Sequence, residues 1–349
     1  MLMSRFHERL WSSDPRLALR FLSVCLAPAE QAYRLAVTAR NWGYSKGLLR
    51  SGRAAIPAVA VGNLTVGGTG KTPVAAWIAR RLQAAGRSPT VVMRGYGGDE
   101  ETVHRLLNPS IPVCVSADRI KATKRAAEAG ADVAVLDDAF QHRALRANAY
   151  IVLIAAEEWV EEPRLLPRGP WREPLTALRR AQLLVVTRKT APPAEALGVC
   201  ESLARHFPAT PLARAYISVS KLACYEEGQL QILPSAMGFR AALAVAGVAR
   251  ADAVWEQLRK LGISMDHCSA FPDHHRFRAR DIAAIKEATA NGPLIATLKD
   301  AVKLRPLLPT DMAIYVPLQQ VEWEAGGGAL DHLLAGVVEE HATRLEFSK

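Results

Sequence analysis

The stretch Val59 to Pro73, Val-Ala-Val-Gly-Asn-Leu-Thr-Val-Gly-Gly-Thr-Gly-Lys-Thr-Pro, constrains this chain more than any other. A short apolar run, Val59 to Val61, reads as a strand. Gly67, Gly68 and Gly70 follow, and they let backbone N–H groups turn inward where a Cβ would clash. Lys71 and Thr72 then open a helix expected to run to Ala85. In a phosphate-binding loop of this kind the lysine reaches the β- and γ-phosphates, the Thr hydroxyl binds Mg²⁺, and the helix N-terminus favours negative charge. Thr65, Gly67, Gly68, Thr69, Gly70, Lys71 and Thr72 are therefore the candidate nucleotide contacts. The usual pattern begins with a glycine where this chain has Thr65. A plain glycine-rich turn between strand and helix is the bland reading of the same residues.

A cradle of this type needs a sheet behind it. Apolar runs recur at Val59 to Val61, Thr90 to Met93, Ile111 to Val115, Val133 to Leu136, Tyr150 to Ile154 and Leu183 to Val186. Helical stretches such as Lys71 to Ala85 and Asp118 to Ala129 separate them. Near-continuous apolar strands alternating with helices indicate an α/β fold with a mostly parallel sheet covered on both faces, of the P-loop NTPase type. Ligands sit at the carboxyl ends of such strands, so the residues just after each run carry the chemistry.

After Met93 comes Arg94-Gly95-Tyr96-Gly97-Gly98-Asp99-Glu100-Glu101, a glycine-rich turn ending in three carboxylates. One of these could serve as general base toward a hydroxyl; a solvated acidic loop tip is the alternative. After Leu136 come Asp137-Asp138-Ala139-Phe140-Gln141-His142-Arg143. An apolar strand ending in aspartate is the Walker-B arrangement, which holds Mg²⁺ directly or through water. The segment Arg164 to Leu175 is rich in Pro and Arg, which excludes a regular helix and suits phosphate or carboxylate binding; a rigid surface linker is the other reading. After Val186 the chain reads Thr187-Arg188-Lys189-Thr190, where a GTPase of this topology would carry Asn-Lys-x-Asp, so ATP is the expected nucleotide.

The chain is long enough for two domains, and beyond residue 213 it reads as a smaller α/β unit without a second phosphate loop. Its most polar feature is Asp266-His267 followed by Asp273-His274-His275. These pairs could bind a metal, or a histidine here could meet a carboxylate supplied by the first domain. The last helix could pack back on the first domain. Residues 1–50 interleave Trp11, Leu17, Phe21, Leu35 and Trp42 with Arg16, Arg20, Arg34 and Arg40. Such a helical segment can lie at a bilayer interface, with its arginines near lipid phosphates, or pack as ordinary helices on the main domain. The window Leu17 to Pro28 is interrupted by Arg20 and falls short of the roughly 20 apolar residues of a membrane span.

Lys and Arg outnumber Asp and Glu by 44 to 34, which favours an anionic partner. The aromatic content of 6% leaves few stacking platforms and disfavours nucleic acid. Five scattered cysteines without a Cys-x-x-Cys pair point to a reducing compartment and no structural zinc. No stable protein partner is evident.

With these motifs in order, the chain resembles the tetraacyldisaccharide 4'-kinase family, also called lipid A 4'-kinases. Val61 to Pro73, Arg94 to Gly98, Asp137 to Arg143 and Phe271 to Phe277 carry the resemblance, supported by Leu166 to Pro174 and Leu298 to Leu304. It implies an ATP- and Mg²⁺-dependent kinase, peripheral on the cytoplasmic face of the inner membrane, acting on the 4'-hydroxyl of a tetraacylated glucosamine disaccharide 1-phosphate. It implies Lys71 and Thr72 at the phosphates and metal, Asp137 and Asp138 as metal carboxylates, and Asp99 with His274 as a catalytic dyad. Arg94, Tyr96, Gln141, His142, Arg172 and Glu173 are the implied substrate-side residues. In the family the Gly-Asp-Glu motif lies well beyond Arg-Gly-Tyr-Gly, whereas here Gly98-Asp99-Glu100 follows at once; Asp99 is the natural match and Glu100 the next. The expected organisation is an amphipathic segment at 1–50, a kinase domain at 51–212 and a smaller domain at 213–349. The rival readings are a P-loop switch NTPase of the metal-insertion or partitioning type and a non-catalytic membrane-binding module.

Overall fold

A computed structural model of the chain describes residues 23–95, 98–290 and 292–346. Trp11, Leu17, Arg16, Arg20, Phe21 and Tyr96, singled out above, lie outside the described residues. The chain opens with helix α1 (Ala27–Ser45) and the short β1 (Gly52–Arg53), then β2 (Ala58–Asn63), α2 (Lys71–Ala84), β3 (Pro89–Met93), α3 (Asp99–Leu107) and β4 (Val113–Val115). It continues through α4 (Arg119–Glu128), β5 (Val133–Leu136), β6 (Leu145–Arg146), β7 (Ala149–Ala155), β8 (Leu183–Arg188) and α5 (Pro193–His206). The remainder is β9 (Leu212–Glu226), β10 (Gln229–Ile232), β11 (Arg240–Ala246), α6 (Ala251–Lys260), β12 (Ser264–Ala270), α7 (Ala279–Ala288), β13 (Leu294–Ala296), α8 (Leu298–Leu304), β14 (Ile314–Ala325) and α9 (Gly327–Glu346).

These elements group into two compact units. The first holds residues up to Arg94, Ile111–Ala215 and the chain from Trp323; the second holds Gly95–Ser110 and Tyr216–Glu322. The sequence expectation put 95–110 with the kinase domain and ran the smaller domain over 213–349, with the last helix free to pack back on the first domain. The difference arises because α3 packs on α8, through Leu106 and through lysines described below, while α9 packs on α2.

In the first unit the strands lie in the order β8-β7-β2-β5-β3-β4, and neighbours along this row pair in parallel. Every residue of β2, β3 and β5 is buried. Helices on both faces leave such strands no solvent side, which is why they read as continuous apolar runs. One core forms around Phe140, Leu165, Trp171, Leu178 and Leu184, and another around Ala58, Val92, Ala122 and Leu136. Asp118 caps α4 by accepting from the Ile120 and Lys121 amides at 3.1 Å. Helix α9 meets α2 through a forked Arg81–Asp331 pair at 2.9 Å, and Trp323, near the end of β14, makes an edge-to-face contact with Trp77 of α2 at 5.2 Å.

In the second unit β12, β11, β13 and β14 pair in parallel, β9 lies beside β14, and β10 pairs antiparallel with β9. Two elements here escaped the hydrophobic pattern. Strand β12, which carries the polar Asp266-His267 pair, is an edge strand exposed along nearly all its length, so nothing selects an apolar alternation. Helix α3, where the sequence read as a glycine-rich turn ending in three carboxylates, places those carboxylates in its first turn, where the helix dipole favours them. No helix among the described residues is long and apolar enough to cross a membrane.

Candidate nucleotide-binding and active site

The site begins where β2 ends. Gly62 is required there because an added Cβ would lie 2.5 Å from the Phe140 Cβ and 2.9 Å from its backbone nitrogen. The turn after β5 thus crosses directly over β2, which brings the Asp137–Asp138 pair to the phosphate loop. Gly67 has φ +154°, a backbone region essentially confined to glycine, and Gly70 begins α2 in the left-handed region. No side chain caps α2, and a helix N-terminus favours an anion.

Lys71 is the first residue of α2. Its ammonium donates to Asn63 Oδ1 at 3.0 Å and lies 3.8 Å from Asp138. Thr72 Oγ1 donates to Asp137 Oδ2 at 3.4 Å. Arg172 reaches the same spot, pairing with both Asp138 oxygens at 3.1 and 3.3 Å and donating to the Asn63 carbonyl at 3.2 Å and to its side chain. Asp138 adopts φ 47°, left-handed for a non-glycine residue, which turns it out beside Lys71 while Asp137 stays buried. Burial works to raise the Asp138 carboxyl, but the charges of Lys71 and Arg172, the Arg172 hydrogen bond and the charge of Arg119 outweigh it and bring it down to about 2. Buried Arg119 fixes the turn by donating to the Asp137 and Asp138 carbonyls at 3.2 and 3.0 Å. A Thr hydroxyl beside an aspartate at the strand end is a set of hard oxygen ligands, and it fits a Mg²⁺ ion.

The other residues expected from sequence divide clearly. Gln141 donates to the Asn63 carbonyl at 2.8 Å, next to Arg172, and Thr65 donates to Glu158 at 3.2 Å. His142 is held below the usual histidine range by burial and then by the nearby positive charges of Arg119 and Arg94. Arg94 is exposed at the end of β3. Glu173 is fully buried, accepting from Asn41 at 2.7 Å and pairing with Arg180 at 3.0 Å and Arg40 at 3.8 Å; it fastens α1 to the first unit. Buried Glu30 does the same from α1, accepting from the Leu165 amide at 2.9 Å and pairing with Arg168 at 3.3 Å.

Asp99 and His274 both fall in the second unit, which corrects the expectation of a carboxylate from the first domain meeting the histidine. Asp99 is buried and pairs with Lys303 at 3.1 Å, while Glu100 pairs with Lys299 at 3.0 Å. Lys299 and Lys303, one helical turn apart on α8, share a face and grip adjacent carboxylates. His274 sits on a half-exposed turn at φ 56°, with Asp273 4.0 Å from its ring. Asp99 and His274 share no hydrogen bond or ion pair among the described residues. The neighbouring His275 is held instead by Asp281 at 2.9 Å, between Phe271 and Phe277. Among the described residues no three His, Cys, Asp or Glu side chains are grouped as a metal-holding cluster, so the Asp266-His267 and Asp273-His274-His275 segments do not assemble one.

Asn63 and Arg119 were not anticipated. Asn63 carried a signal, an amide closing an apolar strand at its carboxyl end; Arg119, one basic residue among many, carried none.

The parallel sheet, the glycine loop opening α2 and the aspartate pair on the adjacent strand define a P-loop nucleotide-binding protein. The family model for tetraacyldisaccharide-1-P 4'-kinase matches residues 22–338, and the chain belongs to that family. Tetraacyldisaccharide 4'-kinases of Anaeromyxobacter dehalogenans and Geobacter sulfurreducens are each 34% identical to it, over 94% and 91% of this chain and 93% and 95% of theirs. A crystal structure of LpxK from Aquifex aeolicus in complex with ATP superposes with a TM-score of 0.71 at 25% identity, covering 91% of this chain and 99% of that one.

Proposed function

We propose that this chain is the ATP-dependent kinase that phosphorylates the 4'-hydroxyl of a tetraacylated glucosamine disaccharide 1-phosphate in lipid A biosynthesis. The observation that carries the reading is the convergence of Lys71, Thr72, Asp137 and Asp138 at adjacent strand ends, in a chain that aligns along nearly its whole length with 4'-kinases. Membership in a kinase family disfavours a switch NTPase that makes no phosphorylated product.

Phosphoryl transfer demands positioning and charge neutralisation more than covalent chemistry. Lys71 and the start of α2 would bind the phosphates, and Thr72, Asp137 and Asp138 would hold Mg²⁺. When bound, Mg²⁺ offsets charge on the transferring group. Asp99, held by Lys303 in this structure, is the candidate acceptor of the sugar hydroxyl proton, and His274, whose left-handed backbone is a sign of functional strain, is its candidate dyad partner. Arg94, Tyr96, Gln141, His142, Arg172 and Glu173 remain the candidate substrate-side residues, of which Arg172 pairs with Asp138 beside Lys71. The enzyme works peripherally at the cytoplasmic face of the inner membrane. Support for this seat comes from α1, which buries Glu30 and Val37 on the protein and leaves Leu35 and Trp42 exposed among arginines.

The test is incubation with ATP, Mg²⁺ and the disaccharide 1-phosphate lipid, followed by mass analysis. A product carrying one added phosphate supports the reading; ATP hydrolysis without it overturns it. Asp99→Ala and His274→Ala should each abolish most turnover with ATP affinity nearly unchanged, and wild-type rates in both would refute the dyad.

A further inference from the structure

The segment Thr187-Arg188-Lys189-Thr190 at the end of β8 has no role in the reading above, yet it is fastened to the phosphate loop at two consecutive carbonyls. Buried Thr187 donates its hydroxyl to the Thr69 carbonyl at 2.9 Å, and Lys189 Nζ donates to the Gly68 carbonyl. A trans peptide sets its C=O and the following N–H in opposite directions. A grip on the Gly68 and Thr69 carbonyls from outside therefore turns the Thr69 and Gly70 N–H groups toward the inside of the loop. In this structure the Thr69 N–H is taken up by the Gly67 carbonyl at 3.1 Å, a bond that a phosphate would replace.

Lys189 is itself set in place by a carboxylate. Glu157, just after β7, accepts the backbone N–H groups of Lys189, Thr190 at 2.8 Å and Ala191 at 3.1 Å on one oxygen. Three successive amides around one oxygen form an anion nest, here filled by the protein's own side chain. Burial pushes the Glu157 carboxyl up, and these three hydrogen bonds outweigh it, holding it below the usual range.

We infer that Glu157 and Lys189 are positioning residues that preorganise the amide donors of the phosphate loop, so that nucleotide affinity depends on two side chains that need touch no phosphate. The inference rests on the nucleotide-site reading of residues 65–72. It requires that the contribution be independent of the base, because the grip acts on the cradle.

Titration calorimetry of the full chain with Mg²⁺-ATP and with inorganic triphosphate tests this. Lys189→Ala should weaken both ligands by about the same factor, on the order of tenfold for loss of one charge-assisted hydrogen bond. Glu157→Ala should do likewise, the double variant should be little worse than either single one, and Lys189→Arg should restore much of the loss. Weakening of ATP alone would make Lys189 a base-contacting residue and overturn the inference, as would unchanged affinity for both. Hydrogen exchange of residues 65–70 in ligand-free protein supplies a second readout. Faster exchange in Lys189→Ala supports the grip and unchanged exchange refutes it, even if the wild type binds neither ligand and the nucleotide reading itself fails.

Discussion

Gly67→Ala is the sharpest test of the phosphate loop. The residue sits at φ +154°, where an L side chain costs about 1–3 kcal/mol. The new Cβ would also lie 3.1 and 3.4 Å from the two Glu158 carboxylate oxygens, tight but against the end of a flexible side chain. Backbone strain is therefore the larger effect. If the loop relieves it by leaving its cradle shape, the same free energy is withdrawn from nucleotide binding, a loss of about 5- to 150-fold in ATP affinity. Calorimetric titration of Mg²⁺-ATP measures this, and adding Glu158→Ala separates the two causes: the double variant should recover little. ATP affinity within twofold of wild type in Gly67→Ala would refute the strained-cradle reasoning, and full recovery in the double variant would shift the cause to the carboxylate contact.

Glu173→Ala should destabilise the first unit by about 3 kcal/mol, the low end for breaking a buried ion pair, because Arg40 is 41% exposed and can rehydrate; urea unfolding followed at buried Trp171 reads it, and an unmoved midpoint counts against the anchor. For Asp138, a depressed carboxyl contributes stability that is present above the unfolded value of 3.8 and lost as pH falls toward about 2. Stability curves of wild type and Asp138→Asn should therefore converge near pH 2 and separate above pH 4, and parallel curves would contradict the pairing with Lys71 and Arg172. Leu35→Glu with Trp42→Glu, both on the exposed side of α1, should reduce sedimentation with anionic vesicles while leaving ATP binding intact; undiminished sedimentation would remove α1 as the membrane contact.

The sheet was legible because its strands are buried on both faces and so spell continuous apolar runs, and the phosphate loop because glycines and Lys-Thr at that spacing have few other uses. Strand β12 and helix α3 were not, since one is an exposed edge and the other begins in acidic residues that resemble a loop tip. Glu173 shows the limit of reading a motif by residue type: Arg172 and Glu173 are adjacent in sequence, yet Arg172 reaches Asp138 while Glu173 is buried against Arg180 and Asn41.

By itself the sequence determined the class of fold, the nucleotide cradle, the metal-suited aspartates at the end of β5 and the resemblance to a lipid kinase family. All of these are encoded within single segments whose spacing carries the chemistry. Only the tertiary structure decided the pairings between segments distant in the chain. Among these are Asn63 and Arg172 around Lys71, Asp99 against Lys303 in the second unit, and Glu157 and Lys189 behind the phosphate loop. Which charges meet is fixed by how strands and helices pack, and no local pattern of residues records that.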